Sequence, residues 1–298
     1  MAYIIGVDCG TSGTKTVLFD ENGKVIASAT AEYPMYQPKN GYAEQNPAHW
    51  AAAMLDTVRA VVSKSGVNKD EIKGIGISGQ MHGLVMLDKD NNVLRNAIIW
   101  CDQRTAAEAD EMNRIIGREK LIEITANPAL TGWTAAKILW VKNNEPEIFE
   151  KCRHILLPKD YLRFILTGEY ATEVSDASGM QLLDVPNRCW SSEICQRLGI
   201  DMELLPSVYE SCEVTGVLRA DIAEQLGLNA GTIVVGGAGD NAAAAIGTGV
   251  CAEGRAFTTI GTSGVVFAHT PSVSIDPEGR VHTCCAAVPG EWLSLIHI

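Results

Sequence analysis

The stretch "IGVDCGTSGTK", Ile5 to Lys15, decides how the chain begins and with it the fold. An apolar, β-branched run ends at Asp8 and Cys9, a small polar turn of Gly10, Thr11, Ser12 and Gly13 follows, and Thr14 and Lys15 open the next run. β-type runs on both sides of a glycine-containing turn read as a hairpin. Working outward, "AYIIGVDC", "TKTVLFD" and "KVIASATAEY" are three strands, the second turn being "ENG" with its Asn22-Gly23 pair, so the chain opens as an antiparallel meander. "NPAHWAAAMLDTVRAVVSKSG" then gives a helix with Asn46 as N-cap, Pro47 at its first position and Gly66 at its stop. Its apolar face is Trp50, Met54, Val58, Val61 and Val62.

Beyond this helix "IKGIGIS", "GLVMLD" and "VLRNAIIW" read as further strands, and the region from Arg104 to about Gly199 is mostly helical. "GTIVVGGAGDNAAAAIGTG" is a buried strand that ends in glycines and runs into an alanine-rich helix. "RAFTTIGTSGVVFAHT" then repeats the opening theme, with "GTSG" again between two β-like runs. The recurrence suggests two related domains, each with one phosphate loop. Strands, then helices, then strands imply an α/β protein with a mixed sheet covered by helices.

Composition narrows the partners. The 298 residues are 46% apolar, enough for one large domain or two ordinary ones. Against 24 basic residues stand 36 acidic ones, a net charge of −12, and no stretch gathers a basic cluster. Nucleic acid and anionic membrane are thereby disfavoured, and any anionic ligand must be held by local donors. Met1 leads almost directly into "YIIGV" with no signal-type segment, which makes a cytoplasmic protein the expectation. The nine cysteines are scattered, without a C-x-x-C pair, and are expected to be reduced.

A turn of Gly, Thr and Ser offers backbone N–H groups and hydroxyls to phosphate oxygens without net positive charge. Lys15 adds a cation, and Asp8 at the strand end suits magnesium held largely through water. The plainer alternative is an ordinary hairpin beside a free acid. No Walker A spacing occurs, and the glycines of "GIGISG" lie within a strand-like run, so no dinucleotide site is expected there. Asp240, at a strand-to-helix junction cleared by Gly236, Gly237 and Gly239, is either a helix N-cap or the carboxylate that takes a proton from an attacking alcohol. His82 in "GQMHG" is either a satisfied structural histidine or a sugar contact. Trp100, Asp102 and Arg104 in "IIWCDQRT" form either a salt-bridged corner or part of a sugar site.

Taken in order, "DCGTSGTK", "GQMHG", "IIWCDQRT", "GWTAAKILWVKNN", "LLPKDYLRFILTGE", "GAGDNAAAAIG" and "IGTSG" resemble the FGGY family of carbohydrate kinases, from Met1 to about Trp292, and among them the members that act on xylulose. The resemblance implies an actin-like, ribonuclease-H-like fold with sugar deep in the first domain, ATP mainly on the second, and catalysis in the cleft between them. By motif, Asp240 resembles the general base and Asp8 the acid that positions Mg²⁺. Gly10, Thr11, Ser12, Gly13 and Lys15 resemble the first phosphate loop, and Gly261, Thr262 and Ser263 the second. Met81, His82, Asp240 and Asn241 resemble the sugar pocket, with Trp100, Asp102 and Arg104 beside them. The implied reaction converts D-xylulose and ATP to D-xylulose 5-phosphate and ADP. A non-catalytic sugar-binding fragment, or a kinase for ribulose, glycerol or gluconate, is the alternative. A homodimer is compatible with the resemblance.

Members of this family are longer, so the expected organisation is a sugar-binding domain over 1–245 and an incomplete ATP-binding domain over 246–292. The adenosine pocket is expected to be absent. The last residues, "LSLIHI" over 293–298, are expected to be non-native, because the transposon-end adapter CTGTCTCTTATACACATC translates to that string.

Overall fold

Alternation builds the opening meander in the computed structural model, which describes residues 1–260 and 264–297. In β1 (Tyr3–Cys9) Ile5, Val7 and Cys9 are buried while Asp8 is exposed on the opposite side. β2 (Gly13–Asp20) buries Thr14, Thr16 and Leu18, and β3 (Val25–Glu32) is the outer strand. Both pairings are antiparallel, with Asp8 opposite Lys15. The Asn22-Gly23 turn holds, Gly23 taking a positive φ of 80°.

The helix α1 (Pro47–Ser65) starts and stops where its caps require. The Asn46 side chain accepts the N–H of Ala48 at 3.0 Å, and Gly66 ends the helix at φ 65°. Trp50, Met54, Val58 and Val61 are fully buried against the sheet. β4 (Ile72–Gly79) then enters parallel to β1 with Asp8 beside Ser78 and Cys9 beside Gly79. Gly74, Gly76 and Gly79 lie inside this strand, as expected.

The middle of the chain is mainly helical, including α2 (Thr134–Asn144) and α3 (Pro158–Thr167). It also contains short strands: Val85–Leu87 pairs with His154–Leu156, and only Ala97–Ile98 of "VLRNAIIW" is extended, paired with Glu44–Gln45. A second core around Met86, Met112, Ile138 and Leu139 holds this helical layer together.

β5 (Val214–Val217) and β6 (Ile233–Val235) complete the main sheet, ordered β5-β6-β4-β1-β2-β3. The expectation of a buried β6 needs correction: Val234 is fully buried but Ile233 is 39% exposed, because successive residues face opposite sides of the sheet. After β6 the chain jogs at Gly237 so that Ala238 and Gly239 run alongside Ser78 and Gly79. α4 (Asp240–Gly247) follows at once, with Gly239 as its N-cap. β7 (Ala256–Ile260), β8 (Gly264–Thr270), β9 (His282–Cys285) and β10 (Trp292–His297) form a separate antiparallel sheet ordered β7-β8-β10-β9. Phe267, Leu293, Ala242 and Ala245 pack this sheet on α4. The segment 293–297, expected to be a foreign tail, thus lies within β10. All nine cysteines are free thiols. Among the described residues no helix is long and apolar enough to cross a membrane.

Gly237 is the tightest point of this arrangement. Its φ is 76°, and a Cβ there would stand 1.9 Å from the Ile77 carbonyl oxygen. Gly237→Ala is therefore expected to cost about 2 kcal/mol or more of stability, read as a lowered melting midpoint by calorimetry. An unchanged midpoint would contradict the tight approach.

Candidate active site

The carboxyl ends of the parallel strands meet at one edge of the main sheet, the position where open α/β sheets leave a crevice. Asp8 comes from β1, and its Oδ1 accepts the Ser78 hydroxyl at 2.8 Å. Asp240 comes from the first turn of α4. It is not the N-cap, a place taken by Gly239; instead its Oδ1 accepts the Asn241 backbone N–H at 2.7 Å and the Asn241 amide at 3.2 Å. The Asp240 side chain is open to water yet recessed among the cleft walls. Lost solvation pushes its carboxyl up to about 6, against the pull of the Asn241 N–H, and the nearby Asp8 charge adds to the rise.

The first loop is braced from behind. The Tyr33 hydroxyl donates to Gly10 O at 2.6 Å, Gln45 Nε2 donates to Thr11 O at 2.7 Å, and the Tyr33 N–H donates to Ser12 O at 3.3 Å. Because each peptide is planar and trans, the N–H groups of Thr11 and Ser12 point away from the anchors on Gly10 and Thr11. Gly10 N–H closes the turn on Gly13 O at 3.0 Å. The remaining phosphate-loop residues of the sequence reading, Gly261, Thr262 and Ser263, lie outside the described residues.

Beside Asp240 opens a cavity of about 350 Å³, walled by Met81, His82, Trp100, Trp133 and Asn241. Val265, His282, Cys284 and Leu295 of the second sheet roof it. His82 stacks on Trp133 with centroids 4.6 Å apart, and its Nδ1 meets the Gly179 carbonyl at 2.9 Å. A carbonyl only accepts, so Nδ1 carries the proton and a neutral His82 keeps Nε2 as an acceptor. Burial lowers its pKa to about 4, with the Gly179 bond opposing and Lys137 and His282 assisting. A side chain on Gly179 would collide, since its Cβ would lie 2.5 Å from His82 Nδ1.

Trp100 and its neighbours separate in the structure. The Trp100 indole N–H donates to Thr11 Oγ1 at 2.9 Å, joining the cavity to the loop. Asp102 and Arg104 are buried behind the cavity rather than lining it. Arg104 bonds Asp102 and Glu44, each at 2.8 Å, and stacks 3.8 Å from the Tyr42 ring centroid. Asp102 Oδ2 accepts the Ala43 N–H at 2.6 Å, so the salt-bridged corner is what forms here. Lys15 sits across from Asp8 at the mouth of a second, larger recess beside the strands.

Several residues at the site were not singled out from the sequence, although Trp133 and Lys137 lie within the quoted "GWTAAKILWVKNN". Gln45 holds the loop and receives both the Gln80 amide at 2.9 Å and the Trp50 indole N–H at 3.1 Å. Lys137, fully buried, donates to His82 O and Gly132 O at 2.6 Å each; burial draws its pKa down to about 7 against the raising effect of Asp102. Trp133 and His282 come from remote segments and meet only in the folded chain.

Residues 3–247 match the model described as "FGGY family of carbohydrate kinases, N-terminal domain". The chain is 45% identical over 282 residues to "Xylulose kinase" of Bacillus subtilis (strain 168), covering 95% of this chain and 56% of that protein. It is 42% identical over 295 residues to "Xylulose kinase" of Lactococcus lactis, covering 99% of this chain and 58% of that one. Among solved structures, a "xyloylose kinase from Brucella ovis" is similar at a TM-score of 0.94 and 41% identity, covering 99% of this chain and 60% of that chain. The chain therefore spans under two thirds of the length of these relatives.

The charge pairing at the crevice has a direct test. The Asp240 carboxyl is expected to titrate near 6, and Asp8→Asn to lower that midpoint by removing a like charge. Carboxyl ¹³C spectra, with Asp240→Asn identifying the resonance, measure both. A midpoint near 4 in the unaltered chain, or one unmoved by Asp8→Asn, would contradict the described environment.

Proposed function

The chain belongs to the FGGY family of carbohydrate kinases, and on that premise we propose that it is the sugar-binding portion of an ATP-dependent pentulose kinase acting on D-xylulose. The observation that carries this reading is the place of the Asp240 carboxyl, at the edge of a cavity that His82 and Asn241 also line; burial, which pushes that carboxyl up to about 6, suits a proton acceptor. The similarity to proteins named xylulose kinase supports the choice of sugar. We assign 1–245 to the sugar domain and 246–292 to the start of the ATP-binding domain.

In this reading Met81, His82 and Asn241 hold the sugar, with His82 Nε2 accepting one hydroxyl. Asp240 accepts the proton of the terminal hydroxyl as that oxygen attacks the γ-phosphorus of ATP. The bond to the β,γ-bridging oxygen breaks, ADP departs, and the phosphoryl group stays on the sugar. Thr11, Ser12 and Lys15 supply donors to phosphate oxygens, and Trp100 keeps the Thr11 hydroxyl in place. The donor set suits magnesium: Asp8 is exposed with one oxygen on Ser78, and no group of three His, Cys, Asp or Glu side chains among the described residues forms a closed metal site. Magnesium supplies charge neutralisation of the phosphates when bound. Asp102 and Arg104 support the cavity from behind.

The decisive assay completes the chain with the C-terminal portion of the Bacillus subtilis relative and measures ADP release with D-xylulose, D-ribulose, glycerol and gluconate. D-xylulose is expected to give the highest kcat/KM, and Asp240→Asn to lower kcat by about 10²- to 10⁴-fold. The kcat should rise with pH through about 6, the carboxyl being active only when deprotonated. A folded protein with no turnover on D-xylulose, or an Asp240→Asn variant of normal rate, would overturn the assignment.

A further inference from the structure

The glycines that clear the crevice floor leave Asp240 on a backbone with little restraint of its own. Gly236, Gly237 and Gly239 precede it, and glycine fixes φ and ψ poorly. A base that must meet one hydroxyl needs the segment held from outside. Part of the hold is backbone, from the pairing of Ala238 and Gly239 with β4 and from Gly236 N–H to Glu213 O at 2.9 Å and Gly237 N–H to Ser211 O at 3.0 Å; a further part comes from residues 173–179, a fully buried stretch that the phosphoryl transfer itself does not use.

Glu173 caps the one-turn helix Val174–Ala177. Its Oε2 accepts the Ser175 N–H at 2.8 Å and the Ser211 hydroxyl at 2.7 Å. Its Oε1 accepts the Asp176 N–H at 3.0 Å and the Ser175 hydroxyl at 2.9 Å, with Lys159 Nζ at 3.2 Å. Lys159 also meets Asp160 at 2.7 Å and Asp176 at 3.5 Å, every one of these side chains being wholly buried. Burial pushes the Asp176 carboxyl well up from its ordinary range, which eases the excess of acids around the ammonium. Charges removed from water persist only when paired and hydrogen-bonded, and Glu173 is both.

Ser175, having given its proton to Glu173, turns a lone pair outward and accepts the Gly239 N–H at 3.1 Å. That N–H belongs to the Ala238–Gly239 peptide, one peptide back from the one that leads into the base. At the other end of the glycine segment, Arg163 Nη1 donates to Gly236 O at 2.6 Å while Nη2 binds Asp160 at 2.7 Å. We propose that Ser175, oriented by Glu173 and anchored through Lys159, is the positioning residue of the phosphotransfer site, fixing the Gly239 peptide and with it the direction of the Asp240 carboxylate. The claim rests on Asp240 being the base.

Ser175→Ala removes the tether without disturbing a charge, and Ser211→Ala loosens Glu173 while leaving the Ser175 hydroxyl in place. In the completed kinase, Ser175→Ala is expected to lower kcat about ten- to a hundredfold with KM for D-xylulose changed less than about threefold, and Ser211→Ala to act in the same direction more weakly. In the chain as it stands, Ser175→Ala should move the Asp240 titration from about 6 toward ordinary carboxyl values as the loosened segment gains water. In an Asp240→Asn background, Ser175→Ala should cause no further loss, because its effect passes through the base. Normal kcat in both serine variants, or an equal loss with and without Asp240, would overturn the positioning role. An Asp240→Asn variant of normal rate would instead remove the base reading, and the positioning role with it.

Discussion

The crevice depends on β4, the one strand hydrogen-bonded in parallel to both halves of the site. On one side its Ser78 and Gly79 lie beside Asp8 and Cys9; on the other they lie beside Ala238 and Gly239. Two acids far apart in the sequence therefore arrive at the same sheet edge, Asp8 within β1 and Asp240 just after the jog at Gly237. The approach is tightest at Gly237, where the backbone turns left-handed against Ile77. A bulkier residue there would force the chain carrying Asp240 away from Asp8.

In a chain at −12, an anion at the first loop would have to be met by local geometry instead of net charge. The first loop has its carbonyls tied back by Tyr33 and Gln45, so dipoles supply what cations do not. Apart from Lys15, cations are used in burial: Lys137 bonded to His82 O, Arg104 in the Glu44 corner, and Lys159 with Arg163 around Asp160 and the Gly236 carbonyl. These buried basic side chains serve as supports, and the groups facing the cavity include the neutral His82, the His282 imidazole, the Asn241 amide, the Trp100 and Trp133 rings and the Asp240 carboxyl.

Local rules made much of the fold legible. Asn46, Pro47 and Gly66 bounded α1, Asn22-Gly23 set the second hairpin, and "GIGISG" was recognised as strand because no helix opens on it. Ile233 ran against expectation because alternation, which the apolar run conceals, puts it on an open side. Asp240 was visible as a junction residue, yet its cap role went to Gly239, a backbone outcome no side-chain pattern reveals. The supporting residues were illegible for a different reason. Gln45, Lys137, Glu173 and Ser175 act through contacts with partners far along the chain, and a polar residue inside a helical or loop segment carries no mark of the carbonyl or peptide it will meet.

The central claim is that Asp240 faces a sugar hydroxyl in the cavity shared with His82. A crystal structure of this chain soaked with D-xylulose tests it most directly. The sugar is expected in the cavity walled by His82, Trp133 and Asn241, with its terminal hydroxyl within hydrogen-bond distance of the Asp240 carboxylate and another hydroxyl on His82 Nε2. Sugar bound elsewhere, or seated in the cavity with Asp240 turned away from every hydroxyl, would contradict it.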